Sequence, residues 1–148
     1  MVLTDPNLFA DLVASLSSDS AAIRMRASDA IEKITREHPD YLIPHKKLFL
    51  NQISTCIQKE VRWHLAQILP RLHLTKLERE KVYQLLLLYL EDKSSIVRTF
   101  AMQALVDISV QDQTYRSSVL PIIKKLAKTG SPAMQSRGRK LLSKISGE

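Results

Sequence analysis

The sequence is poor in glycine and shows no strand signals. Only three glycines occur among its 148 residues. Hydrophobic residues nevertheless make up 45% of the chain, and the leucine runs have helical spacing. This composition excludes a disordered tail and predicts an all-α fold. A chain of this length buries roughly two-thirds of its unfolded surface, so we expect a single domain over residues 1–148.

Cysteine and long apolar runs are also scarce. Cys56 is the one cysteine and has no partner for an internal disulfide, which agrees with a reducing compartment. We expect it to be a small buried side chain at the end of a helix. The longest apolar run, residues 85–90, is far too short to span a bilayer, and the first residues do not resemble a secretory signal. These absences predict a soluble, cytoplasmic protein without a membrane partner.

Motifs for catalysis, metals and cofactors are missing. The chain has no glycine-rich phosphate loop and no nucleophile elbow. Its histidines, which lack zinc-ligand spacing, are His38, His45, His64 and His73. We interpret Asp29 and Glu32 as part of a solvated helix face rather than as an acid/base pair. The sequence therefore predicts no catalytic residue, no metal site and no cofactor.

What the sequence does contain is a short pattern that occurs four times. It is clearest in residues 96–108, IVRTFAMQALVDI. The four copies begin, at intervals of 38, 36 and 37 residues, with Ile23, Val61, Val97 and Met134. The residues that follow these starts are Arg24, Arg62, Arg98 and Gln135. A period of this size is the signature of helical pairs that bury their apolar faces against their neighbours.

Turn and cap signals divide the chain into four helical pairs, so we predict eight helices. The repeats are expected at about residues 7–38, 44–72, 75–110 and 112–146. Ser20 is a predicted N-cap, Pro44 a predicted first helical residue, and Thr75 with Glu78 has the spacing of a capping box. Gly130 is expected in the left-handed conformation that ends many helices, before the N-cap Ser131.

Three further expectations concern the interior of the repeats. In the second repeat, Leu48, Ile53 and Ile57 are expected on the apolar side of the first helix. Residues 58–60 are expected to bend the chain into the next helix, the alternative being one continuous kinked helix. The run 82–90 is apolar nearly all round, which predicts that its helix is covered on both sides.

These units resemble HEAT repeats, in which a turn is followed by a hydrophobic residue, an arginine and alanines. Residues 19–24, DSAAIR, and 92–98, DKSSIVR, are most similar to that pattern. The second repeat lacks the aspartate, and the fourth has Gln135 in place of the arginine. The resemblance implies a right-handed solenoid whose second, or B, helices line a concave surface. It also implies scaffolding and protein docking, with a minority of relatives that bind nucleic acid.

The arginines of the repeated pattern recur at the same position, as a row of binding residues would. Arg24, Arg62 and Arg98 occupy the position that typically ties a turn to the adjacent repeat. A partly buried arginine with a carboxylate partner is a framework element and weak evidence for a binding site. We therefore predict a structural role for all three.

The candidate binding residues are the B-helix positions between the core positions. If these face the concave side, an aromatic centre of Trp63, His64 and Phe100 is flanked by Arg26, Arg71 and Arg137. Large flat side chains desolvate well and guanidinium groups pair with carboxylates, so this set predicts a protein-docking surface. The same set would suit base stacking and phosphate contact. The alternative is that Trp63 and Phe100 only fill gaps between adjacent B helices.

Positive charge is concentrated at the end of the chain. Residues 113–148 carry eight basic side chains and one acidic one, while the whole chain has a net charge of +7. Arg137, Lys140 and Lys144 have helical spacing and form a stripe that would suit a phosphate backbone. The alternative is a solvating cap on a terminal repeat. We predict a protein partner first and nucleic acid second, with an enzyme like the HEAT-like DNA glycosylases a distant third.

Overall fold

The computed structural model describes residues 6–51, 56 and 58–146, which form eight α-helices and no β-strand. The helices are α1 (Pro6–Ala14), α2 (Ala21–Glu37), α3 (Lys46–Asn51), α4 (Lys59–Ile68), α5 (Lys76–Tyr89), α6 (Ser95–Gln111), α7 (Arg116–Thr129) and α8 (Pro132–Ser146). Within these ranges, four 3-10 segments cover Ser15–Ser17, Pro39–His45, Leu69–Arg71 and Gln113–Tyr115. The predicted all-α fold with eight helices is thus confirmed for this part of the chain. The helices pack as two compact units, divided between Glu78 and Arg79.

In the first unit, α2 packs along α4 and also contacts α1 and the two 3-10 segments that flank α2. Ser20 caps α2 as predicted, because its hydroxyl accepts a hydrogen bond from the amide of Ile23 at 3.3 Å. Ile31 on α2 and Leu65 on α4 are at most 1% exposed. Burial of two such side chains contributes roughly 3–6 kcal/mol to folding, so this helix pair is the core of the unit.

In the second unit, α6 packs against both α7 and α8, which also pack against each other. Val97, Met102 and Leu105 are fully buried, as expected for a helix with neighbours on more than one side. Where α7 meets α8, a Cβ atom built on Gly138 would lie 2.7 Å from the Cβ of Ala127. The glycine therefore permits a close approach of the two helices.

The second repeat begins differently from the prediction. Pro44 lies inside the 3-10 segment Pro39–His45, and α3 begins only at Lys46. Gln58 is extended, with φ −77° and ψ 121°, so a bend precedes α4 and the alternative of one continuous helix is wrong. Phe49 is the fully buried residue of α3, whereas Leu48 is half-buried. Ile53 and Ile57 lie outside the described residues.

Three other expectations are wrong. Gly130 has φ −76° and ψ −178°, which is extended rather than left-handed. A Cβ atom at Gly130 would lie 2.7 Å from the Cβ of Met134, so close packing favours glycine there. On α5, Leu86 is fully buried but Leu88 is 68% exposed, so this helix is not covered all round. Cys56 is half-buried and lies in no helix.

The predicted caps of α5 and α8 are present. The amide of Thr75 donates to Glu78 Oε1 at 2.8 Å, and the amide of Glu78 donates to Thr75 Oγ1 at 3.2 Å. This reciprocal pair is a capping box. The amide of Met134 donates to Ser131 Oγ at 3.4 Å. Local sequence signals therefore fix where both helices begin.

Two arginines of the repeated pattern hold the turns that precede their own helices. Arg24 Nη1 donates to the carbonyl of Ser18 at 2.7 Å, and its Nε donates to Gln58 Oε1 at 3.0 Å. Arg98 Nη1 donates to the carbonyl of Asp92 at 2.6 Å. These bonds give Arg24 and Arg98 the framework role that their position in the repeat predicts.

Candidate functional site

The single tryptophan lies on α4 and is half-buried. Trp63 Nε1 donates a hydrogen bond to Nε2 of the neighbouring His64 at 3.2 Å, and the two ring centroids are 5.5 Å apart. An indole that keeps part of its surface exposed while its N–H is bonded presents apolar area without an unsatisfied donor. Trp63 is therefore held in a defined orientation at the surface of the first unit.

The sequence places His64 among the binding residues, but its ring is buried, with 8% of the residue exposed. Nδ1 lies 2.7 Å from the carbonyl of Glu60, which can only accept, so Nδ1 carries a hydrogen. Nε2 therefore accepts from Trp63 when the ring is neutral. Asp29 Oδ1 also lies 3.2 Å from Nε2 and would receive a bond if the ring were protonated. His64 thus positions Trp63 rather than offering its own surface.

Asp29 is ionised at neutral pH. The hydrogen bond from Lys33, at 2.9 Å, is the main cause that lowers the pKa of this carboxyl, and burial opposes it. The sequence interpretation of Asp29 as part of a solvated face agrees with its partly exposed position. The same interpretation is wrong for Glu32, which is 3% exposed.

Arg71 is engaged within the first unit. Its Nη2 lies 2.8 Å from Glu32 Oε2, and its Nη1 donates to the carbonyl of Glu32 at 2.7 Å and to Thr35 Oγ1 at 3.1 Å. A guanidinium with three such bonds connects the end of α4 to α2. The charge of Arg71 is thereby matched inside the unit.

In the second unit, Arg137 on α8 stacks over Phe100 on α6. Its guanidinium carbon lies 5.7 Å from the centroid of the ring, within the range of a cation–π contact. Arg137 Nη1 also donates to Gln103 Oε1 at 2.9 Å. Phe100 and Arg137 are both half-buried. The structure therefore brings these two predicted residues together.

The exposed surface of helices α7 and α8 is rich in positive charge. Residues 116–146 contain eight basic side chains and no acidic one. Six of these are exposed, and we call them the basic face: Lys124, Lys125, Lys128, Arg139, Lys140 and Lys144. Lys140 and Lys144 are thus accessible, as a contact with a polyanion requires.

Arg26, the remaining predicted residue, is exposed and lies at a groove between α1 and α2. Leu12, Ile23 and Ala27 also line this groove. Its residues make it a mainly apolar surface with one cation. The structure therefore groups Trp63 with His64 and Phe100 with Arg137.

The sequence interpretation did not predict that Gln103 and Glu32 position two of the candidates. Gln103 holds Arg137, and Glu32 holds Arg71. Both lie one helical turn from a core position, and the sequence alone does not indicate which side chain they bond. It also missed a cavity bordered by Phe9 and Tyr41. Its residues lie some thirty positions apart, and no repeat or motif connects them.

Among residues 6–51, 56 and 58–146, no three histidine, cysteine or acidic side chains are grouped to hold a metal ion. Within the same ranges, no helix is long and apolar enough to cross a membrane. Comparison of the chain with protein-family models, curated proteins and solved structures found no match.

Proposed function

We propose that this chain is a HEAT-like helical-repeat module that binds another protein through the surface of its B helices. In this proposal four helical pairs stack as a right-handed solenoid in the cytoplasm, and the module catalyses no reaction. The arginine-held turns before α2 and α6 support the repeat assignment, because the same contact recurs at equivalent positions of the pattern.

The observation that carries the docking proposal is the stacking of Arg137 on Phe100. Aromatic and arginine side chains are the commonest anchors of protein interfaces. The bond to Gln103 uses only one of the five N–H donors of Arg137. Because the pair is already held in place, it loses little side-chain freedom when a carboxylate of a partner binds. We therefore expect a partner with an acidic residue next to an apolar one.

Trp63 supports the proposal from the first unit. It is half-buried, and its indole N–H is bonded to His64. A partner can cover the exposed part of the ring without leaving a donor unsatisfied. Trp63 would then serve as an apolar anchor.

The test is capture of partners from cell extract on the immobilised chain, followed by binding measurements with the purified partner. We expect wild type to bind at near-physiological and at high salt. Trp63→Ala and Phe100→Ala should each weaken binding roughly 30-fold or more, as removal of a hot-spot residue does. The matched control is Leu88→Ala, an exposed apolar residue on α5 that should leave affinity unchanged. Equal affinity of wild type and both aromatic variants would contradict the proposal.

A second candidate function is nucleic-acid binding by the basic face. The observation that favours it is the set of six exposed cations on helices that contain no acidic residue. The measurement is anisotropy of labelled duplex and single-stranded DNA and RNA at low and near-physiological salt. Phosphate contacts predict an affinity that falls steeply with salt and is lost in the double variant Lys140→Glu, Lys144→Glu. Absence of binding even at low salt would assign these charges to solvation of the repeat.

A further inference from the structure

A cavity of about 370 Å³ lies in the first unit, between α1 and the 3-10 segment Pro39–His45. The prolines at both ends of the segment favour a compact turn, since proline fixes φ and lacks an N–H. The residues that line the cavity are Phe9, Ala10, Asp40, Tyr41, Pro44 and His45. Half of these are aromatic rings and one is a carboxylate.

The three rings border the cavity at different inclinations. Phe9 is 2% exposed, and its ring meets the ring of Tyr41 with centroids 5.5 Å apart and planes inclined at 67°. The ring of His45 lies 5.7 Å from Phe9 at 54°. Tyr41 is supported by His38, which stacks on it at 5.1 Å with planes 14° apart. The wall therefore consists of ring surfaces in several planes, which is the arrangement that surrounds a compact cation.

A carboxylate borders the same cavity. The side chain of Asp40 is 80% exposed, and its Oδ1 lies 3.9 Å from His73 Nε2. This separation exceeds a hydrogen-bond distance, so the carboxylate remains accessible. The carboxylate therefore favours a positive ligand over a neutral one.

His45 does not oppose a cation. Burial lowers the pKa of this imidazole from its usual 6.5, so the ring is neutral at pH 7. A neutral imidazole is one more aromatic surface rather than a competing charge.

We propose that this cavity binds a methylated ammonium group, held by the ring faces of Phe9, Tyr41 and His45 and by the carboxylate of Asp40. A methylated ammonium group is more weakly hydrated than a plain ammonium, so it loses less hydration free energy on burial. Its charge is also spread over its methyl groups. Both properties favour contact with aromatic ring faces. A free quaternary amine and a trimethylated lysine of a peptide share this chemistry. The inference is independent of the docking surface proposed for the B helices.

The test is an NMR titration of the full chain with choline and with 3,3-dimethylbutan-1-ol, its neutral isostere. We expect choline to bind roughly tenfold more tightly, which is the discrimination that a cation–π site provides. Shifts should be confined to residues that line the cavity. Equal affinity for the two compounds, or no shifts with choline at millimolar concentration, would overturn the proposal.

Two aspartate variants test whether choline binds in this cavity. Asp40→Asn removes a charge from an exposed side chain, so the fold should persist while choline affinity falls several-fold and affinity for the neutral isostere stays unchanged. The matched control is Asp11→Asn, an exposed aspartate on α1 that does not line the cavity. An unchanged choline affinity in Asp40→Asn would contradict the assignment of the carboxylate. A trimethyl-lysine peptide that binds tenfold more tightly than choline would identify a peptide source, and equal affinity a free amine.

Discussion

Arg71, in the 3-10 turn after α4, holds the carboxylate of Glu32 on α2, with 2.8 Å between Nη2 and Oε2. Arg36 donates two more hydrogen bonds to the same carboxylate, at 2.6 and 3.1 Å. Burial alone would raise the pKa of Glu32, but the two arginines outweigh it and the pKa lies below its usual value. One buried carboxylate therefore joins α2 to the 3-10 turn after α4.

The Glu32 contact should make folding sensitive to acid. Because the pKa of this carboxyl is lower in the folded than in the unfolded chain, its contribution to the free energy of unfolding is fully present above the unfolded value, about 4.5. The contribution is lost as pH falls through the lower folded value. Urea denaturation at a series of pH values below 5 should show a decline in stability that is shallower in Glu32→Gln.

Replacing the carboxylate should destabilise the protein at neutral pH. Glu32→Gln leaves Arg71 without its ionic partner, and we expect a loss of about 2–3 kcal/mol, typical of hydrogen bonds to charged groups. Glu37→Gln, an exposed position of the same helix, is the control and should change stability by less than about 0.5 kcal/mol. Equal effects of the two changes would show that the contact contributes little.

Gly138→Ala should destabilise the second unit although alanine favours helices. The added methyl would lie 2.7 Å from the Cβ and 2.9 Å from the Cα of Ala127, too close without movement of α7 or α8. Overpacking of this kind costs about 1–3 kcal/mol, more than the gain of about 1 kcal/mol in helix propensity. The measurement is thermal unfolding of Gly138→Ala and of the exposed control Ser136→Ala, and the melting temperature should fall in Gly138→Ala. A stabilised Gly138→Ala would mean that the helices separate easily.

Removal of the His64 ring should change the environment of Trp63. Nε2 of His64 accepts the hydrogen bond of the Trp63 indole N–H at 3.2 Å, and His64→Leu leaves that donor without this partner. Trp63 is the only tryptophan of the sequence, so its fluorescence reports the change directly. The emission maximum should shift in His64→Leu and stay unchanged in His73→Leu, which alters an exposed histidine. An unchanged emission maximum in His64→Leu would show that the bond does not hold the indole ring.

Local signals were enough to predict most helix boundaries. The hydroxyls of Ser20 and Thr75 bond to amides three residues on, and such short-range contacts can be inferred from sequence spacing alone. The conformation predicted for Gly130 is wrong, because a glycine at the end of a helix can have more than one cause. A glycine after a helix signals a left-handed residue, but here the requirement is steric and comes from Met134. Residue spacing predicts a hydrogen bond within a turn more reliably than it predicts why a glycine is required at a position.

The candidate site was harder to predict, because its contacts join distant positions. Helical spacing identified Phe100 and Arg137 as candidates. Gln103, whose side chain bonds the guanidinium, lies 34 positions before Arg137, so the sequence does not predict that bond. His64 was expected at the surface because it lies between the core positions of the repeated pattern. Its burial follows from Ser28 on α2, which lies 3.2 Å from Nδ1 and 36 residues away. Which polar residue is buried depends on the partner helix, and the repeat pattern does not specify that.

The arginine-held turns also bear on the order in which the chain folds. The bonds from Arg24 to Ser18 and from Arg98 to Asp92 each span six residues, whereas the bond from Arg24 to Gln58 spans 34. Loops of about ten residues close in roughly 10–100 ns, far faster than distant segments of a chain find each other. Each turn can therefore form as an early local event. In the first unit the same guanidinium then joins the next repeat, which couples a fast step to the slower assembly of the helices.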